Sequence, residues 1–285
     1  MNLLKNNLQW QTIQPLLRQP VNSEQSQQYG RLIYCIEIDD QTYWVKRQQQ
    51  GISSQHEQWF DNEIKHYQSL STRSSKILVP FEIVYDENSR FNTPTSKHDS
   101  SSLILIENAA PLFEVENSAY TQMQTCPHNE FSNVVNLLLH SLDALLSIHE
   151  QGWVHADLKR EHFRILNGQP KLIDFEQMFH FECHPQVSTH GTPRYMAPEL
   201  FHGESKSQAS DIYALGIIWL EWLNQYSIRK KSYIDWAKWH CQQLKVEIIR
   251  PFSDLTPVLQ QMLMKNKSQR LDNIYQLKQI LSEFV

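Results

Sequence analysis

Strand-like and helix-like apolar patterns are segregated along this 285-residue chain, and that segregation narrows its fold more than any other feature. Up to about residue 107 the apolar residues come in short runs, "GRLIYCIEI", "TYWVK", "ILVPFEIVY" and "LILI", with one helix-like stretch among them, "HEQWFDNEIKHYQSL". From Phe131 to Gln151 they recur instead at helical spacing (Val134, Val135, Leu138, Leu142, Leu145, Leu146), and Gly152 supplies the stop. A hairpin follows, "FRIL" and "PKLI" about Asn167-Gly168, a dipeptide suited to the positive-φ positions of a tight turn. Everything from about Ser210 onward reads as helix. Strands followed by helices imply an α+β fold, a small β-rich lobe ahead of a larger helical one.

Composition removes several functions. The formal charge is −5, and the one compact basic cluster, Arg229-Lys230-Lys231, is too small to track a nucleic-acid backbone. The four cysteines, Cys35, Cys126, Cys183 and Cys241, are far apart and lack CxxC spacing, so neither a zinc site nor a disulfide framework is expected. The N-terminus has no apolar stretch of signal-peptide length, and the run "IYALGIIWLEWL" contains Glu221 and is too short to span a bilayer. A cytoplasmic chain without a membrane span is the expectation.

Five strings occur in one order: "HADLKREH", "KLIDFE", "GTPRYMAPE", "SDIYALG" and "NKSQR". In that order they resemble the catalytic loop, the D-F-G strand, the end of the activation segment, the large central helix and the bracing arginine of the protein kinase-like superfamily. The likeness runs over nearly the whole chain from about Tyr29. It is most similar to bacterial Ser/Thr protein kinases of eukaryotic type, and it implies a bilobal fold, with an extension over 1–24, an N-lobe over 25–107 and a C-lobe over 108–285. Phosphoryl transfer needs a metal-bound nucleotide, an in-line hydroxyl and charges placed around the γ-phosphate. The resemblance gives a residue to each task. Asp157 orients the attacking hydroxyl, Lys159 neutralises the transferred group, and Asp174 holds Mg²⁺ or Mn²⁺ against the phosphates of ATP. Lys46, ending "YWVK", reaches those phosphates, with Glu63 as its helix partner in preference to Glu57. Gly30, Trp44, Glu107 and Ala109 fall at nucleotide-binding positions, and Thr192 bridges Asp157 and Lys159. His155, Glu199, Asp211 and Arg270 are expected as braces.

Four departures qualify the likeness. In "QSQQYGRL" only Gly30 survives of a glycine-rich loop, and Gln25 and Gln27 should cradle phosphate poorly. Strand alternation puts Trp44 on the face of Lys46, where an indole either stacks on adenine or fills its pocket. Ala156 replaces the arginine that would grip an activation-segment phosphate, so Ser188 and Thr189 should not switch the enzyme through that contact. His162 stands where an asparagine ligand is usual, and Glu176 replaces the glycine of D-F-G. As metal ligands the two would mix a nitrogen, better suited to Mn²⁺, with a hard oxygen. His162 and Trp44 also resemble lipopolysaccharide sugar kinases, and Trp44 with "QSQQYG" fits a pseudokinase scaffold. An ATP-dependent kinase acting on a protein Ser/Thr hydroxyl is preferred over both, because the "GTPRYMAPE" segment and all five charged residues remain.

Overall fold

The computed structural model describes residues 8–73, 75–86, 102–114, 128–183 and 191–285. The polar stretch 87–101, most of the stretch 114–130, Cys126, Ser188 and Thr189 lie outside those residues. The chain divides into two compact units: Met1–Ala110 with Ile173–Gln177, and Pro111–Leu172 with Met178–Val285.

The first unit is built on a four-stranded antiparallel sheet of β1 (Arg31–Ile38), β2 (Gln41–Gln48), β3 (Phe81–Tyr85) and β4 (Ser102–Glu107), in the order β1-β2-β4-β3. Asp39 and Asp40, both with positive φ, make the two-residue turn between β1 and β2. That turn sets the register, pairing Ile38 with Gln41 and therefore Ile33 with Lys46 and Arg31 with Gln48. Alternation gives the sheet two distinct faces. On one, Leu32, Tyr34, Ile36, Tyr43, Val45, Val84, Leu103 and Leu105 form a core closed by Trp10 and Ile13 of the short helix α1 (Trp10–Ile13). The N-terminal residues thus pack on the sheet, and the Arg47 guanidinium lies 5.1 Å from the Trp10 ring. Trp44, Lys46, Gln48 and Arg31 occupy the opposite face.

Where a glycine-rich loop was expected, Glu24–Gln28 form a short helix, α2. Its start is capped by Ser23, whose hydroxyl accepts from Ser26 N, and it places Gln25 and Gln27 in helical backbone. Gly30 is required by geometry: its φ is +83°, and a Cβ there would come 2.7 Å from the Gln48 amide nitrogen. Helix α3 (Ser54–Arg73) buries Phe60, Ile64, Tyr67 and Leu70, a single stripe at helical spacing. Glu63 stands inside that stripe.

The second unit is organised around α4 (His128–His149) and α6 (Gln208–Leu223), with the short helix α5 (Pro198–Phe201) between them in sequence. Residues 209–223 of α6 are buried on every side, and the Trp219 indole N–H donates to Ser141 Oγ of α4 at 3.0 Å. Gly216 lets α6 approach its neighbour, since a Cβ would fall 2.9 Å from Leu263. Helix α4 ends before Gly152 (φ +79°), and the expected hairpin pairs Phe163–Leu166 with Gln169–Leu172 through Asn167 and Gly168. Within α4, Glu130–His149 is long and apolar enough to cross a bilayer by length and composition, a stretch missed in favour of "IYALGIIWLEWL". Its Val135, Leu138, Leu142 and Leu145 are fully buried in the unit's core. The C-terminal part is less uniformly helical than expected: no helix covers 225–231 or 244–252.

Candidate active site

In the first unit, β2 delivers the Lys46 ammonium into a group of three carboxylates. Its Nζ lies 2.8 Å from Glu63 Oε2, 2.7 Å from Asp174 Oδ1 and 2.5 Å from Glu176 Oε1. Glu63 comes from the buried stripe of α3 and has no exposed surface. Burial pushes its carboxyl above the ordinary range, and the charges of Lys46 and Arg31 pull the other way. Glu57, the competing partner for Lys46, is engaged elsewhere and accepts from Gly51 N at 2.8 Å.

Helix α3 also positions the segment that carries Asp174 and Glu176. His66 Nδ1 bonds the Phe175 carbonyl at 2.8 Å, and the buried Phe175 ring meets Tyr67 edge-on at 5.1 Å. Asp174, just before Phe175, adopts φ +69°, a left-handed conformation uncommon for residues other than glycine. The ligand oxygens of Glu63, Asp174 and Glu176 all lie within 4.8 Å of one another. Hard oxygen donors at that spacing suit Mg²⁺ or Mn²⁺.

Sequence reasoning missed the fifth charge of this group. Arg31, at the start of β1 and 6% exposed, is ion-paired with Glu176 and donates from Nε to Gln48 Oε1 at 3.0 Å. Two cations therefore face three carboxylates. Nearby, Trp44 on the Lys46 face donates its indole N–H to Asn108 Oδ1 at 2.9 Å, and Asn108 N bonds Thr42 O at 2.9 Å. Glu107 ends β4 opposite Tyr43, and Ala109 is buried.

In the second unit, Asp157 is the centre. Its Oδ1 accepts from Thr192 N at 3.1 Å and from Thr192 Oγ1 at 3.2 Å, and its Oδ2 lies 3.0 Å from Lys159 Nζ. The loop behind it is anchored by the buried Asp211 of α6, which accepts from His155 N, Ala156 N and the His149 ring at 2.8, 2.9 and 2.9 Å. Ala156 has φ +71°, so these bonds hold a strained backbone in place. Glu199 and Arg270 form a buried two-point pair, Oε1 to Nη1 at 2.7 Å and Oε2 to Nη2 at 2.8 Å. His162 is 4% exposed at the end of the turn Arg160–His162, its ring 5.6 Å from that of His155. Lys206 was also missed. It is 8% exposed and lines, with Asp157, Thr192 and Tyr195, a cavity of about 20 Å³. Nothing in "GESKSQ" marks it.

A family model described as protein kinase domain matches residues 27–283. Among curated relatives, Aurora kinase A-A of Xenopus laevis is 28% identical over 127 residues, 44% of this chain and 30% of that protein. Aurora/IPL1-related protein kinase 2 of Caenorhabditis briggsae is 29% identical over 126 residues, 44% of this chain and 40% of that protein. The probable serine/threonine-protein kinase mkcF of Dictyostelium discoideum is 37% identical over 86 residues, 30% of this chain and 13% of that protein. The matched stretches thus span well under half of each relative.

Proposed function

The chain belongs to the protein kinase domain family, and from that membership we propose that it moves the γ-phosphate of ATP to a Ser/Thr hydroxyl of a protein. The observation that carries the reading is Asp157 held between Lys159 and Thr192. A carboxylate in that setting orients a small hydroxyl and accepts its proton, and the ammonium beside it offsets charge on the group in transit. The Lys46–Glu63 pair supports the nucleotide half of the reading, because a lysine held by a buried glutamate points its charge in one direction. Glu107, Ala109, Trp44 and Gly30 would line the nucleotide.

A bound divalent ion would neutralise charge on the β- and γ-phosphates. Asp174 and Glu176 supply oxygens suited to it. With Ala156 in place of an arginine, activity should not depend on prior phosphorylation. Cys35, Cys183 and Cys241 are free, which supports a reducing compartment such as the cytoplasm.

Incubation with labelled ATP, Mg²⁺ or Mn²⁺ and a generic protein substrate tests the function. Transfer to serine or threonine is expected, with a loss of roughly 10²–10⁴ in rate for Asp157→Asn and an unchanged circular dichroism spectrum. Wild-type turnover in that variant, or in Asp174→Asn, would remove the assignment of the corresponding aspartate.

A further inference from the structure

Arg31 has no part in phosphotransfer as described above, yet it occupies a costly position. Taking a guanidinium out of water costs several kcal/mol unless its donors are used, and Arg31 is only 6% exposed. Its Nε is bonded to Gln48 and its Nη1 is paired with Glu176, but Nη2 is buried without a hydrogen-bond partner among the described residues. Arginine presents its donors in a rigid fork, so the direction of that open N–H is set by the two bonds already made. Arg31 also lies in the field of Glu63 and Asp174, beside the paired Glu176.

The sheet register places Arg31 on the same face as Lys46, one side-chain step along, since Ile33 is opposite Lys46 and Arg31 is opposite Gln48. Backbone donors are scarce at this end of the sheet. Residues 24–28 are helical, and Gly30 N is bonded to Gln27 O. A polyphosphate approaching Lys46 would therefore depend on side chains for its donors. Charge balance points the same way. The cluster holds three carboxylates against two cations, and a nucleoside triphosphate adds negative charge beyond what one divalent ion offsets.

We propose that Arg31 is a second phosphate-binding cation of the nucleotide site, held on Glu176 until a nucleoside di- or triphosphate arrives with its metal. Nη2 offers one bond to a phosphate oxygen without breaking any hydrogen bond of Arg31, once the atoms that cover it give way. When Glu176 turns to the metal ion, Nη1 becomes a second donor to the same ligand. The exchange leaves Arg31 with an anionic partner before and after binding. It also explains why a glutamate stands two residues after Asp174: it is the resting counter-ion for Arg31.

This inference rests on the nucleotide-binding reading given above, and a binding experiment on the full chain separates the two. Calorimetric titration of adenosine, ADP and ATP with Mg²⁺ would compare wild type, Arg31→Gln and Arg31→Lys. The expected result is that Arg31→Gln weakens ADP and ATP about tenfold or more with adenosine affinity unchanged, and that Arg31→Lys recovers part of the loss. Equal weakening of adenosine, or no weakening of ADP and ATP, overturns the proposal while leaving the kinase reading in place. A wild type that binds none of the three ligands ends both. Should Arg31→Gln not fold, the double variant Arg31→Gln/Glu176→Gln removes both members of the pair, and its affinities are read against Glu176→Gln alone.

Discussion

Acid should weaken the second unit through His240. This imidazole is fully buried in the turn Trp239–Gln243, enclosed by Trp236, Trp239 and Phe201 with ring centroids 5.8, 4.6 and 5.5 Å away. Tyr213 OH lies 2.9 Å from its Nδ1, and its Nε2 lies 3.0 Å from the Pro193 carbonyl. Because a carbonyl only accepts, Nε2 carries the proton, and Nδ1 accepts from the tyrosine. Burial pushes the imidazole down to about 4 from its ordinary 6.5, against the opposing pull of the Pro193 and Arg194 carbonyls.

The sign follows from the two states. Between pH 6.5 and about 4 the unfolded chain takes up a proton that the folded chain refuses, so stability is complete above this window and falls as pH drops through it. Between pH 7.5 and 4.5 the loss amounts to roughly 2.5 kcal/mol, or a fall in Tm of roughly 5–10 °C. The assay is urea denaturation of wild type and His240→Gln across that range, followed by tryptophan fluorescence. Glutamine keeps a donor and an acceptor but does not titrate. The variant should be less stable at pH 7.5, and the gap should close by about 2.5 kcal/mol at pH 4.5. A gap that stays constant would refute the assignment. Other titrating groups, Glu63 and His66 among them, are common to both proteins and cancel in the difference.

Arg270→Ala should cost about 3–5 kcal/mol, because it leaves Glu199 buried without its partner; thermal denaturation reads the loss, and the double variant Arg270→Met/Glu199→Gln should recover much of it. Lys206→Met should act in the opposite direction. The Lys206 ammonium is buried without a hydrogen-bond partner among the described residues, and burial pushes its pKa down despite the nearby Asp157 and Asp211. An apolar side chain of similar length should raise stability by about 1 kcal/mol, and a Tm below that of wild type would show that the lysine is satisfied in solution.

Much of the site was legible because strand alternation and helical spacing carry geometric information. Lys46 could be placed on the face of Trp44 from "YWVK" alone, whereas Glu63 was preferred to Glu57 through the family resemblance, and its burial within the α3 stripe of Phe60, Ile64 and Tyr67 became visible only in the structure. The same logic could have found Arg31. Asp39-Asp40 is a two-residue turn, and a turn of that length sets Arg31 opposite Gln48, on the face that bears Lys46. Attention to Gly30 as the remnant of a phosphate loop drew the reading to backbone chemistry, whereas Glu24–Gln28 fold as a helix, and the amides of Ser26, Gln27, Tyr29 and Gly30 are bonded within that turn. The partner of Arg31 was beyond such reasoning. Glu176 lies 145 positions away, and no local period links the two. Charges so far apart meet only because His66 and Tyr67 hold Phe175 between them and thereby settle where its neighbours point. The identity of Glu176 was visible in "DFE", but its role depends on which cation the packing brings to it, and that selection is made by the hydrophobic contacts of Phe175 rather than by the charges themselves.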